Sequence, residues 1–246
     1  MNINLTKTTI GRQHCLEKIE RSPLFDRTVL LVVLIILIFG STDLRAQDAN
    51  NPIDPSPTGG LWNRFYGEDQ SRLQFLTNLT YGNWFYRFTA EAEFNYNNNP
   101  NDSRFSGANF LVARLFKSKN GLHHFGIGGV VSYYHKSRWA GGVNFVSVSK
   151  FGDWKVITLT TLQGGKDIFT MEFQPGLYHD FENGWYFRSH PRMLFDFENE
   201  QHEIPIGAGV GKILDTNGPV INLFFEPQYD LHNKLPMLYT GIKMLF

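Results

Sequence analysis

Apolar and polar residues alternate along most of the chain after Leu61, and the last twelve residues, LPMLYTGIKMLF, show the pattern most clearly. A repeat of two residues is the period of a β-strand. One face of this terminal segment consists of Leu238, Thr240, Ile242, Met244 and Phe246. A nearly apolar face suits a strand that closes a barrel in a lipid bilayer, because lipid meets one face and a lumen the other, and no edge stays unpaired. The ending therefore predicts a transmembrane β-barrel.

Segments with the same alternation recur upstream, separated by short runs rich in Asn, Asp and Gly, and the sequence from Leu61 onward has no helical periodicity of ten residues or more. This pattern predicts an all-β fold, an antiparallel up-and-down barrel of about twelve strands, and an even number is typical of bacterial single-chain barrels. The predicted strands cover 61–67, 70–82, 84–97, 107–117, 121–135, 138–151, 154–163, 167–180, 184–197, 202–214, 218–231 and 235–246.

The connections between these strands predict which end of the barrel faces the periplasm. If both ends of the barrel lie in the periplasm, every second connection counted back from Phe246 is a periplasmic turn, and each of these is short and rich in Asn, Asp or Gly. The longest loop, 97–106, then falls on the extracellular side, where long loops belong. Trp84, Trp154 and Trp185 each begin a strand after a periplasmic turn, which indicates an aromatic girdle at one membrane interface.

The strand 84–97 separates its two faces best. Aromatic and alanine side chains alternate with polar ones, and a shift by one residue would place Glu91 and Glu93 in lipid. The polar face is therefore assigned to the lumen, together with Arg72 and Asp230 from other strands. Strands 107–117 and 154–163 do not alternate clearly, and their faces stay open. The predicted solute pathway is lined by Arg87, Glu91, Glu93, Glu172, Arg188, His190, Arg192, Glu226 and Lys243.

A lumen with charges of both signs has more than one interpretation. It is typical of a porin-like passage or binding site for a small solute, with a hydrophobic or aromatic compound among the candidates. It also fits a salt-bridged network that fills a closed structural barrel and conducts nothing. An outer-membrane lipid-modifying enzyme is the third alternative, although the sequence contains no catalytic constellation. Alternation alone does not separate these alternatives.

The amino-acid composition limits the partners and reactive groups that we expect of the protein. The chain has 23 basic and 23 acidic residues, so no charge excess favours a nucleic-acid partner. The single cysteine, Cys15, lies in a segment that we expect to be removed, which excludes disulfides and thiolate chemistry in the mature chain. His123 and His124 are adjacent and face opposite sides of a strand, and no metal set or cofactor motif is evident. We therefore predict no cofactor and no metal.

Two short motifs invite a catalytic or nucleotide-binding interpretation. Gly207, Gly209 and Gly211 lack the spacing of a dinucleotide loop, and no helix follows them. On a strand the three share one face, predicted to be the lumen side, where they allow a close approach or a bend. Ser189 and His190 are the only suggestive neighbours for a lipase, but adjacent strand residues point to opposite faces.

The N-terminal region predicts export. The apolar run 29–39 has the length of a signal-peptide core, so we assign residues 1–46 to a signal peptide cleaved near Ala46, with a retained anchor as the alternative. A flexible periplasmic leader, 47–60, rich in Pro, Asn and Gly, then precedes the barrel at 61–246. The predicted location is the outer membrane of a Gram-negative bacterium. The expected partners are outer-membrane lipid, an unknown small solute and the barrel-assembly machinery, which would engage the C-terminal strand ending in Phe246.

The C-terminal third resembles a known family. The runs GWYFRSHPRMLFDFEN, IPIGAGVGKIL and NGPVINLFFEPQYDL, followed by a final strand ending in Phe, are similar to bacterial outer-membrane barrels labelled neuromedin-U-like or phenol-degradation-pathway-type transporters. The shared features are Trp185-Tyr186, Arg188-Ser189, Pro191, the strand Pro205–Lys212, Pro219-Val220 and Tyr229. The resemblance covers about 60 residues, and the N-terminal half departs from the pattern. It implies an outer-membrane barrel with a porin-like or uptake role.

Overall fold

The structure is a computed structural model, and it describes residues 50–53, 57–67, 69–96, 103–119, 121–216 and 219–245. The predicted signal peptide and its cleavage site lie outside the described residues, as do Phe246 and most of the loop 97–106. Within the described part of the chain, no helix has the length and apolar character needed to cross a membrane.

Fifteen strand segments make up almost all of the described region. Their bounds are β1 Thr58–Tyr66, β2 Gln70–Tyr81, β3 Trp84–Asn95, β4 Arg104–Lys117, β5 His123–Tyr134, β6 Arg138–Phe151, β7 Trp154–Gly165, β8 Ile168–Asp180, β9 Trp185–Ser189, β10 Met193–Asp196, β11 Gln201–Glu203, β12 Pro205–Gly207, β13 Gly209–Leu214, β14 Val220–Asp230 and β15 Leu235–Leu245. A short 3-10 turn, Glu182–Gly184, precedes β9.

These segments close into an antiparallel barrel. Each strand pairs with the next along the chain, and β1 pairs with β15, so that Thr58 lies opposite Leu245 and the ring has no free edge. The segments β9 and β10 form one barrel strand, and β11, β12 and β13 form another, which leaves twelve strands. Pro191 lies in the first of these breaks, because a proline has no N–H for the ladder. The predicted twelve-stranded barrel is confirmed.

Two-residue hairpins shape one end of the barrel, which we call the turn end; the opposite end is the loop end. Gly82 and Gly152 adopt φ of 59° and 61°, a conformation that tight hairpins require and glycine adopts without strain. Tyr81 lies directly opposite Trp84 across the first hairpin, and all three Trp residues predicted for the girdle begin strands at this end. The turn end also carries the barrel termini, since β1 begins and β15 ends there.

The outer surface of the barrel is apolar. Side chains that point away from the lumen include Phe88, Ile127, Val143, Leu162 and Phe225, and all are exposed. A continuous apolar exterior of this kind is stable in lipid rather than in water. The outward faces agree with the predicted ones for β3, β8, β14 and β15.

The barrel begins earlier than predicted, and the segment before it is not free. Strand β1 starts at Thr58 rather than Leu61, because the predicted leader residues Thr58 and Gly59 already pair with β15. Upstream, Asn50 and Ile53 are buried. Residues 58–60 of the predicted leader therefore belong to the barrel, and burial of Asn50 and Ile53 restricts their side chains.

Candidate solute site in the barrel interior

The interior has two halves of different character. Near the turn end most inward side chains are apolar and packed against one another, with buried polar side chains such as Lys155, Asn222 and Lys243 among them, which leaves the lumen filled there. This apolar core consists of Ile53, Phe85, Leu111, Ala113, Leu115, Val130, Val146, Val148, Ile157, Leu159, Tyr178, Tyr186, Ile213, Phe224, Tyr239 and Leu245. Near the loop end the inward side chains are polar and surround an open space. The sequence predicted a lumen with charges of both signs, and the structure forms its ion pairs in the middle and at the loop end.

The leader contributes to the core from inside. Ile53 is 5% exposed and packs in the apolar core, although it precedes the first barrel strand. Asn222 on β14 donates a buried hydrogen bond of 3.0 Å from its Nδ2 to Oδ1 of Asn50. The Nδ2 of Asn50 has no partner, so the polar anchoring of this segment is modest. The segment 50–53 therefore closes the turn end through one apolar side chain and one hydrogen bond.

Glycines on the inner wall let aromatic rings lie close to the strands. The ring of Tyr186 lies against Gly211, where any Cβ would overlap it, and its hydroxyl donates a 2.6 Å hydrogen bond to Oδ1 of Asn222. A Cβ at Gly241 would lie 2.5 Å from Cδ1 of Trp62 and 2.8 Å from the Phe224 ring. The prediction that Gly211 permits a close approach is confirmed, and the approaching group is Tyr186 of the same protein.

A cavity of about 790 Å³ occupies the loop-end half. We call it the vestibule. Its upper wall includes loop residues such as Lys136, Glu200 and Asn233, which are exposed, so the cavity opens toward that end. Deeper lining residues include Thr89, Asn109, Ser132, Gln163 and Thr170. A space of this volume holds a molecule the size of a small metabolite.

An ion network crosses the vestibule floor. Arg192 contacts Oε1 of Glu91 through Nη1 and Oε2 of Glu172 through Nη2, the latter at 2.7 Å. Gln74 donates to Glu91 at 2.9 Å, and Gln174 donates to Glu172. Two carboxylates on one guanidinium leave the floor with a net negative charge. Because each carboxylate also accepts an amide hydrogen bond, these side chains are held in place.

A second network lines the vestibule wall. Arg72 contacts Glu203 at 3.0 Å and Glu93 at 3.4 Å, and Glu93 also accepts from Arg104 at 2.8 Å. The hydroxyl of Tyr66 donates to Glu203 at 3.1 Å. Arg72 and Glu203 are 131 residues apart in the chain, and barrel closure brings them together. The wall thus presents both signs of charge to a solute.

A third ion pair lies deeper. Nε of Arg188 lies 2.6 Å from Oε2 of Glu226, which is 0% exposed. The guanidinium lies 3.6 Å from the centroid of the Phe224 ring, a cation–π contact. The other carboxylate oxygen accepts the backbone N–H of His190 at 2.9 Å and the amide of Gln228 at 2.7 Å. Burial of a charge is tolerated here because every oxygen has a partner.

All nine residues of the predicted solute pathway lie on the inner wall, at different depths. Glu91, Glu93, Glu172 and Arg192 line the vestibule. Arg188, Glu226 and His190 lie below its floor, where the His190 ring hydrogen-bonds the Tyr178 hydroxyl at 2.7 Å. Arg87 and Lys243 are buried below the floor and outside the vestibule lining. The structure brings together the residues of the floor and those of the deep pair, and it keeps Arg87 and Lys243 apart from the vestibule.

Sequence reasoning missed several interior residues. Glu203 lies on β11, a three-residue segment whose alternation is too short to reveal a face. Arg64 lies on β1, the predicted strand with the least distinct pattern, and it is buried. The strand period of two was the signal that could have found Arg64. It lies two residues after Trp62 on the same strand, and both side chains point inward.

The candidate lipase pair is not assembled. Ser189 Oγ donates to the carbonyl oxygen of Gly207 at 2.6 Å, whereas the His190 side chain bonds Tyr178 inside the barrel. The two side chains therefore face opposite sides of the wall, as the alternation predicted. Among the described residues, no group of three or more His, Cys, Asp or Glu side chains is arranged to hold a metal ion.

Comparison with known proteins bears on the fold. No family model matches this chain, and no curated protein matches it. Among solved structures it is similar to the KdgM porin, with 9% identity and a TM-score of 0.52 over 77% of this chain and 99% of that chain. The KdgM porin in complex with disordered oligogalacturonate gives 10% identity and a TM-score of 0.52 over the same shares, 77% and 99%. At such identities the likeness concerns architecture and not function. The chain has the fold of a closed antiparallel β-barrel, similar in architecture to that of the KdgM porin.

Proposed function

We propose that this protein binds a small polar solute in its vestibule and passes it across the outer membrane through the barrel interior. The observation that carries the proposal is the 790 Å³ cavity, which opens at the loop end and ends on the network of Arg192, Glu91 and Glu172. Fixed charges of both signs favour a hydrophilic or zwitterionic solute over an apolar one, because an apolar solute would desolvate them without replacing their hydrogen bonds.

Passage requires the turn end to open. Below the floor the described inward side chains pack against one another, and Ile53 belongs to the apolar core there. We propose that the leader segment 50–53 acts as a plug that leaves the barrel during transport. Among the described residues, segment 50–53 is held by one buried hydrogen bond to the wall and one buried isoleucine, and burying such a side chain is worth roughly 1.5–3 kcal/mol. We expect the segment to leave the lumen without unfolding of the wall.

The barrel fold supports an outer-membrane location, and we add three finer proposals. The chain is exported by its N-terminal segment, the turn end faces the periplasm, and the protein belongs to the neuromedin-U-like barrels that its C-terminal third resembles. The solute then enters from outside the cell. The predicted absence of enzymatic activity stays a prediction.

Thiol labelling of the vestibule tests the proposal. The only cysteine, Cys15, lies in the predicted signal peptide, so a mature chain carrying Asn109→Cys has one reactive thiol in the vestibule lining. In proteoliposomes, a methanethiosulfonate reagent should reduce the flux of a small neutral sugar through this variant. The matched control is Val143→Cys, whose side chain is exposed on the outer face and should leave flux unchanged. Equal flux before and after labelling of Asn109→Cys would overturn the proposal, as would a wild-type flux no higher than that of empty liposomes.

A further inference from the structure

Arg64 is a buried cation with unused hydrogen-bond donors. Its side chain points into the lumen from β1 and is 4% exposed. Its Nε and Nη2 are both buried, and neither has a hydrogen-bond partner among the residues that the structure describes. The guanidinium lies 4.2 Å from the centroid of the Tyr239 ring, which supports its charge from one face but accepts neither N–H. A buried donor left unsatisfied is costly, and an unpaired buried charge is more so.

The positions of these two N–H donors indicate the shape of the anion that would fit them. The Nε–H and one Nη–H of a guanidinium form a planar fork, and that fork matches the two oxygens of a carboxylate. Both nitrogens without a partner on Arg64 belong to this edge. A single water molecule satisfies one such donor well, whereas a carboxylate satisfies both and supplies the missing negative charge. The geometry therefore favours a bidentate anion.

Among the described residues, no carboxylate lies at ion-pair distance from Arg64. Arg87 is 6% exposed, and its guanidinium lies 5.7 Å from the Trp62 ring. Trp62 in turn packs edge-on against Tyr239, with ring centroids 6.1 Å apart, so Arg64 and Arg87 lie around one aromatic pair. Within the described part of the chain, neither arginine has a carboxylate at ion-pair distance, whereas the nearby Arg188 pairs with Glu226.

The location of Arg64 connects it to the vestibule. Arg64 lies directly opposite Arg72 in the pairing of β1 with β2, and Arg72 lines the vestibule wall. Like charges directly opposite each other in a sheet destabilise it unless counter-charges are present. Arg72 has its own, Glu203 and Glu93. Arg64 itself lies outside the vestibule lining, so the carboxylate of a vestibule solute has to extend past Arg72 to reach it.

We infer that Arg64, supported by Arg87, is the binding site for a carboxylate group on the solute. The solute class is then a small organic acid whose polar body occupies the vestibule and whose carboxylate is held by the Arg64 fork. This assignment rests on the proposed function, because it supposes that the vestibule admits a solute. The mixed charges of the vestibule alone do not specify this class of solute.

Calorimetric titration of the purified barrel tests the assignment. The probes are benzoate and benzamide, which share a shape and differ in the carboxylate. The wild type should bind benzoate at least tenfold more tightly than benzamide. Arg64→Gln should remove that preference, and Arg64→Lys, which keeps the charge and loses the fork, should weaken benzoate binding as well. Arg114→Gln is the matched control, since Arg114 is exposed on the outer face. Equal affinity of the wild type for the two probes would overturn the inference.

Further measurements separate a loss of benzoate binding from a failure to fold, and carboxylate binding from phosphate binding. Benzoate should raise the thermal unfolding midpoint of the wild type but not of Arg64→Gln, because a ligand stabilises only a fold that binds it. If Arg64→Gln does not fold, Arg87→Gln takes its place, with a weaker loss of benzoate affinity expected. Tighter binding of inorganic phosphate than of benzoate overturns the carboxylate assignment. The neutral-sugar flux and its block in Asn109→Cys involve no anion, so their success beside a failed benzoate titration overturns this inference alone.

Discussion

Arg188 and Glu226 form their ion pair across an intervening strand. Arg188 is on β9 and Glu226 on β14, and β13 passes between them with Gly209 opposite Arg188. A Cβ on Gly209 would lie 2.6 Å from Cα of Glu226, so only glycine fits between the two wall strands. The glycine repeat of β13 therefore has a structural function in the inner wall: it admits a charged bridge at Gly209 and an aromatic ring at Gly211.

Breaking this ion pair should destabilise the barrel strongly. Glu226→Leu leaves Arg188 as an uncompensated buried charge, for which the cost is about 3–5 kcal/mol. We expect a lower temperature for the transition of the folded to the heat-modified band on gels. The double variant Arg188→Met with Glu226→Leu should regain much of the loss, since apolar replacement of a buried pair is tolerated. Glu198→Gln, at an exposed site, is the control. A Glu226→Leu barrel as stable as the wild type would contradict a structural role for the pair.

Gly211→Ala should destabilise the barrel because its Cβ would overlap the Tyr186 ring. Overpacking of this kind costs about 1–3 kcal/mol. Gly164→Ala is a matched control, since a Cβ there would have no neighbour within 4 Å. Adding Tyr186→Leu to Gly211→Ala should recover part of the loss by vacating the contact, and the unfolding midpoint in urea measures all four proteins. Equal losses for the two alanine variants would show that ring packing is not the cause.

Charging the plug should open the barrel. Ile53→Asp places a carboxylate in the apolar core, where an unpaired charge is strongly disfavoured, so the leader should leave the lumen. We expect higher single-channel conductance in planar bilayers than for the wild type. Pro57→Ala, at an exposed leader position, should leave conductance unchanged. If Ile53→Asp conducts no better than the wild type, segment 50–53 is not the barrier.

Neutralising the floor arginine should change ion selectivity. Arg192→Gln removes the only guanidinium in contact with both Glu91 and Glu172 and leaves their charges uncompensated. A more negative constriction attracts cations, so the reversal potential in a potassium chloride gradient should move toward the potassium equilibrium potential. Glu172→Gln should shift it in the opposite direction. Identical reversal potentials in the two variants would place the selective region elsewhere.

Much of this architecture could be predicted from the sequence, because local physical chemistry specifies it. A strand with lipid on one side and a polar lumen on the other must alternate, so β3 and β14 were assigned to the correct faces. Tight hairpins need glycine or asparagine, so the turn end was located as well. The nine predicted pathway residues lie on the inner wall for the same reason, although their arrangement in three networks was not foreseen.

Strands β4 and β7, whose faces the sequence left open, show where alternation fails as a signal. On β4 the inward side chains are Leu111, Ala113 and Leu115, and on β7 they include Ile157 and Leu159. Over these stretches apolar side chains lie on both faces, toward lipid and toward the packed core, so the alternation is weak there. Whether a lumen is filled or open depends on which inward side chains meet across the barrel.

The sequence by itself determined the barrel, its strand number and the face of each strongly alternating strand, because these follow from a period of two and from turn chemistry. Only the tertiary structure decided that the turn end is packed, that Ile53 lies inside it, and that Arg72 meets Glu203. It also decided that, in the described part of the chain, no carboxylate lies at ion-pair distance from Arg64. These relationships join residues far apart in the chain, and closure of the ring brings them into contact.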